Sequence, residues 1–135
     1  MKRALLLLAH GSPLPDALEP VRQAAEAVAA QSTEFQMVVI GYLECNEPDI
    51  PAAIRRCVEA GCREVVVVPY FLHLGAHVAE DLPDLLSAAA ARHPAVSFRL
   101  ADYLGTSPRL TEILARRADE ALERAAGGSP PEACR

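Results

Sequence analysis

Hydrophobic positions fall into four short runs, each followed by apolar residues at helical spacing. The first run, Ala4 to Ala9, is rich in leucine and meets a Gly-Ser-Pro turn. This predicts a buried strand ending at His10, in spite of leucine's helical preference. Pro13 and Pro15 keep the next stretch extended and Asp16 is a candidate cap. Leu18, Val21, Ala25 and Val28 then mark one face of a helix with Pro20 in or near its first turn. Phe35 to Tyr42, with Met37, Val38, Val39 and Ile40, predicts a second buried strand that runs on into Leu43 and Glu44. Asn46 to Pro51 reads as turn material, and Ile54, Cys57 and Val58 define a short helix that Gly61 stops.

The third unit, Arg63 to Pro83, organises the rest. Its four consecutive valines, Val65 to Val68, suit a strand buried on both faces, and Pro69 ends the ladder by removing a backbone donor. A loop with His73, Gly75 and His77 follows. Leu82, Leu85, Leu86, Ala89 and Ala90 then recur at helical spacing, so His77 falls where a helix begins, and His93-Pro94 closes that helix. Val96, Phe98 and Leu100 alternate with Ser97 and Arg99, as in an edge strand with one wet face. After a turn at Leu104 to Pro108, the last helix carries Leu110, Ile113, Leu114, Arg117, Ala118, Ala121 and Leu122.

Four strand-helix repeats in alternation predict an α/β fold: a flavodoxin-like, parallel four-stranded sheet with helices on both faces and right-handed crossovers. With 135 residues the chain is expected to form one domain over residues 1–126, and the Gly-Gly-Ser-Pro-Pro tail, 127–135, to be disordered.

The net charge of -5 argues against a general nucleic-acid surface. Lys2-Arg3 and the following apolar run are too short for a signal peptide and lack a cleavage pattern, and no stretch reaches the length of a membrane span. Cys45, Cys57, Cys62 and Cys134 show no zinc-ribbon or thioredoxin-like spacing and read as reduced thiols. A cytoplasmic protein, binding neither nucleic acid nor membrane, is expected.

In parallel sheets ligands collect at the carboxyl ends of the strands. Here those ends carry His10, Glu44, the His73 to His77 loop and Asp102-Tyr103, so two histidines and a carboxylate converge on one edge. Two imidazoles and a carboxylate with open positions suit a divalent first-row metal, held less tightly than in a closed four-ligand cage. His73 is an auxiliary ligand candidate and Asp81 a candidate acceptor for His77. Tyr42, Leu43, Phe71, Leu72, Leu74 and Leu104 lie near the same rim as candidates for an apolar platform under a flat ligand. The same donors would also serve a non-enzymatic metal carrier or sensor. A histidine phosphatase is disfavoured, because phosphoryl transfer needs cations and Ala9, not arginine, precedes His10.

Several motifs in order carry a resemblance. They are His10-Gly11-Ser12, Leu43-Glu44 with Glu47-Pro48 and Ile50-Pro51, Pro69-Tyr70-Phe71-Leu72 with Gly75, His77-Val78, Asp81-Leu82-Pro83 and Leu104-Gly105. Over about residues 3 to 122 the chain resembles the small class II chelatases, the sirohydrochlorin cobaltochelatase and ferrochelatase family. The resemblance implies a chelatase-like fold and a metal chelatase (a lyase) that inserts cobalt or iron(II), the metal being a substrate and no cofactor being permanently bound. The acceptor would be a sirohydrochlorin-type tetrapyrrole on the way to cobalamin or siroheme. It also implies His10 and His77 as metal-binding histidines, Glu44 as the strand-end glutamate and a homodimer. Pro13 stands where an arginine is usual, and His73 lies outside the usual motif. Arg99 and Arg109 are candidates for holding substrate carboxylates.

Overall fold

The protein is described over residues 2–125 by a computed structural model; the expected tail and Cys134 lie outside the described residues. Four strands form, β1 (Arg3–Ala9), β2 (Met37–Tyr42), β3 (Glu64–Pro69) and β4 (Ser97–Leu100). The helices are α1 (Glu19–Gln31), α2 (Ile50–Glu59), α3 (Ala76–Arg92) and α4 (Arg109–Ala125), with 3-10 turns at Pro15–Leu18 and Leu104–Thr106. The sheet order is β2-β1-β3-β4, and every pairing is parallel. By its internal contacts the chain divides into two units, Met1–Leu104 and Gly105–Arg135.

β1 lies inside the sheet, and its side chains alternate between two cores. Ala4, Leu6 and Leu8 face a cluster with Val65 and Val67 of β3, Ala53, Ile54 and Cys57 of α2, and Leu82, Leu86 and Ala89 of α3. Leu5, Leu7 and Ala9 face Leu18, Val21 and Ala25 on the α1 side. Helices thus cover both faces, which is why Leu5 to Leu8 read as an unbroken apolar run. Leu6 and Leu8 are fully buried, and truncating either to alanine costs about 2–5 kcal/mol. The valine run is not uniform: Val65 and Val67 are fully enclosed, whereas Val66 and Val68 are half-buried on the α1 face.

Local signals explain the helix boundaries. Pro20 occupies the first turn of α1 as expected, where its missing N–H is not needed. Asp16 does not cap; it lies within the 3-10 turn, and α1 starts without a side-chain cap. α2 begins earlier than expected, inside the stretch read as turn, because the Asp49 carboxylate accepts from the Ala52 N–H at 2.9 Å and Pro51 fits the first turn. Gly61, at φ +88°, follows the end of α2. α3 tolerates Pro83 on its exposed side and ends at His93, just before Pro94. β4 is an edge strand as expected, but Leu100 is 43 % exposed instead of facing a closed core. In the second unit, α4 leaves Ile113, Leu114 and Leu122 exposed.

At the amino end of the sheet, Glu64 is buried between two arginines, with Arg3 Nε at 3.3 Å and Arg99 Nε at 3.0 Å. Arg99, a candidate for holding substrate carboxylates, is thus paired with Glu64 while most of its side chain stays exposed. Among the described residues no helix is long and apolar enough to cross a membrane.

Candidate metal and tetrapyrrole site

The parallel ladder continues past the carboxyl ends of the strands, and this builds the site's floor. On one side of β1 the Leu43 N–H donates to the Ala9 carbonyl at 2.9 Å and the Glu44 N–H to the His10 carbonyl at 3.0 Å. On the other side the Tyr70 N–H donates to the Leu8 carbonyl at 2.8 Å. His10 therefore stands between the segment that carries Glu44 and the loop that leads to His77.

Gly11 makes the first of these approaches feasible. Its φ of +88° suits glycine, and a Cβ there would overlap the Glu44 carbonyl oxygen and lie 2.9 Å from Asn46 Oδ1. Asn46 ties the two segments directly, its Oδ1 accepting from the Ser12 N–H at 2.6 Å while its own N–H donates to the Glu44 carbonyl at 2.8 Å. Asn46 was invisible as a site residue in the sequence, where it read only as a turn former. Its one signal is its place two residues beyond a strand-end glutamate.

On the other flank Phe71 meets His10, with ring centroids 4.5 Å apart and planes tilted by 56°. His10 is exposed and Phe71 is only 7 % exposed, embedded in the core between the sheet and α2 and α3. His77 occupies the second residue of α3, where the sequence placed it, and is exposed; so is His73. Asp81 makes no hydrogen bond to His77 among the described residues.

The carriers of His10, Glu44 and His77 share one edge, yet their side chains do not close into a shell. Among the described residues no group of three or more His, Cys, Asp and Glu comes together closely enough to hold a metal ion. Topology fixes where each crossover starts; it does not fix where an exposed side chain or the far end of the 70–75 loop comes to rest.

The expected apolar platform also divides. Tyr42 is 4 % exposed and belongs to the core on the α1 side, and Phe71 belongs to the opposite core. Leu43 and Leu74 are half-buried against that second core, and Leu104 is half-buried. Leu72 alone of the six is well exposed, at 67 %.

Among the described residues, two cavities border the candidate side chains. One of about 190 Å³ is lined by His10, Ser12, Tyr42 and Tyr70 and backed by Leu18 and Val21. The other, about 460 Å³, is more polar and lies around Glu44, Asn46, Asp49, Arg55 and Arg56. Neither includes His77. An apolar cavity of about 280 Å³ between α2 and α3 contains none of the candidate residues.

A parallel sheet with an imidazole just past its inner strand, a second imidazole on the neighbouring crossover and a glutamate just past β2 defines an α/β protein with ligand-capable side chains at its carboxyl edge. The chain belongs to the CbiX family, whose family model matches residues 4–121. It is 40 % identical to the sirohydrochlorin cobaltochelatase of Methanocaldococcus jannaschii over 90 residues, 67 % of this chain and 62 % of that protein. It is likewise 40 % identical to the Methanococcus maripaludis protein of the same name over 83 residues, 62 % of this chain and 57 % of that one. The chain thus spans less than two-thirds of these relatives. A longer match, 32 % identical over 139 residues, covers 88 % of this chain and 96 % of the sirohydrochlorin cobaltochelatase of Methanopyrus kandleri. Among solved structures, a CbiX protein from Marinobacter aquaeolei VT8 superimposes with a TM-score of 0.78 at 32 % identity, covering 90 % of this chain and 98 % of that one. The sirohydrochlorin chelatase SirB from Bacillus subtilis, solved with cobalt, gives 0.80 at 28 % identity, covering 89 % of this chain and 51 % of SirB.

Proposed function

We propose that this protein inserts a divalent metal, cobalt or iron(II), into a sirohydrochlorin-type tetrapyrrole. The observation that carries this reading is the adjacency of the first and third crossovers, seen in the 4.5 Å contact between His10 and Phe71. It puts the loop leading to His77 beside the imidazole at the end of β1. The names of the CbiX relatives support the same reaction.

In this reading His10 and His77 receive the hydrated cation through one ring nitrogen each, and water fills the remaining positions. Such an open site binds weakly, as suits an ion that must leave with the product. Glu44 is the third donor or the base. Insertion releases two pyrrole protons, and an exposed carboxylate at the edge of the ion's position can accept them one after the other and pass each to water. The roughly 190 Å³ cavity beside His10 is smaller than the ~300–1,000 Å³ of ordinary ligand sites, so the macrocycle lies across the rim and not inside that cavity. The protein acts in the cytoplasm as a homodimer, with the exposed apolar residues of α4, Ile113, Leu114 and Leu122, available for burial in an assembly.

Mixing the protein with cobalt(II) or iron(II) and sirohydrochlorin and following absorbance tests the reaction and reports the preferred metal. Loss of insertion in the double variant His10→Ala/His77→Ala, with an unchanged circular dichroism spectrum, is expected. Undiminished turnover in that variant rejects the assignment. Metal binding by the native protein without any insertion would make it a carrier instead.

A further inference from the structure

We propose that Phe71 is a positioning residue: its ring sets the orientation of the His10 imidazole and links it to the loop that carries His77. The sequence pattern alone puts Phe71 in the ligand platform, but a side chain 7 % exposed and packed in the core presents little surface to a flat ligand. What it does reach is His10. A centroid separation of 4.5 Å and a tilt of 56° lie within the range of favourable aromatic pairs.

The kind of contact matters. Among the described residues the His10 ring has no hydrogen-bond partner, so neither nitrogen is taken up by the protein. A hydrogen bond would orient the ring at the cost of one nitrogen; a ring contact orients it and leaves both free. An exposed imidazole without this neighbour would sample several rotamers, and ordering it at the moment of metal capture would weaken binding. Phe71 is suited to this because its other side is held in the core by the same cluster that packs Leu8 and Leu82. The contact also crosses from one crossover to the next. Phe71 follows Tyr70, whose N–H is bonded to the Leu8 carbonyl, so its backbone is fixed to the strand that leads into His10.

This inference rests on the reading of His10 as a metal-binding residue, and the experiment separates the two. Proton NMR of the full chain should show a nuclear Overhauser contact between the two rings. In Phe71→Leu the His10 ring protons should lose their ring-current shift. Cobalt(II) titration of Phe71→Leu should give a Kd about 2- to 10-fold higher, the range set by the strength of one aromatic pair. Phe71→Tyr, which keeps the ring, should restore native affinity, and KM for the tetrapyrrole should be unchanged in both variants. Absence of the ring-to-ring contact in the native protein, or native cobalt affinity in Phe71→Leu, overturns the positioning role. Native affinity in His10→Ala overturns the underlying site assignment instead. The native-protein NMR arm stands even if Phe71→Leu does not fold.

Discussion

Replacing Gly11 by alanine is expected to damage both stability and the candidate site, and Gly61 supplies the internal control. Both glycines have φ +88°, so an alanine at either bears the same backbone strain, about 1–2 kcal/mol. Around Gly61 nothing lies within 4 Å of the place an added methyl would take, so strain is the whole cost there. At Gly11 the methyl would overlap the Glu44 carbonyl oxygen and crowd the Asn46 side chain at Oδ1, and the Glu44 backbone cannot yield without parting the two segments. Parting them breaks the Glu44 to His10 bond of 3.0 Å and the Ser12 to Asn46 bond of 2.6 Å, each contributing about 0.5–1.5 kcal/mol. Gly11→Ala should therefore lose about 2–5 kcal/mol against about 1–2 kcal/mol for Gly61→Ala. Urea denaturation gives both numbers, and cobalt(II) titration should show weaker binding in Gly11→Ala only. Equal stability losses with equal cobalt affinities would refute the claim that Gly11 exists to let the two segments touch.

Three further substitutions test the frame. Asp49→Ala should cost about 1 kcal/mol by removing the N-cap of α2, with Asp49→Asn close to native, both read from thermal melts. Glu64→Gln keeps the shape of a buried side chain but removes the charge between Arg3 and Arg99; a loss of about 1–3 kcal/mol in urea is expected, and an unchanged midpoint would show that the arginines gain nothing from it. Burial, and then the neighbouring Cys62, push the Cys57 thiol up to about 11 from its ordinary 9.0. The folded state thus holds this proton where the unfolded chain releases it, so the contribution is complete below about pH 9 and lost as pH rises to about 11. Denaturation across that range should show the decline, and Cys57→Ala should flatten it.

The sheet was legible because its residues obey simple periodicities. The leucine run of β1, the valines of β3 and the position of His77 at a helix start all follow from backbone satisfaction and burial. So did the convergence of His10 and Glu44, since a parallel sheet gathers strand ends whatever the side chains do. The sequence was less informative wherever one residue type serves two tasks. Asp49 and Pro51 are turn formers and also a helix start, and only the Ala52 N–H decides between them. Phe71 and Tyr42 look alike whether they face a ligand or a core; here both are core. Asn46 acts through one oxygen aimed across a loop, a relation that no spacing encodes.

Because β1 has a hydrogen-bonded neighbour on each side, its amides should be among the last to exchange with deuterium, and the backbone of His10, whose carbonyl accepts from the Glu44 N–H, is tied to the same frame. On the proposed function, any adjustment on cation arrival falls to the chain beyond β3. In that proposal His10 would be the fixed jaw of the grip, and His77, beyond the six-residue connection after β3, the jaw that travels.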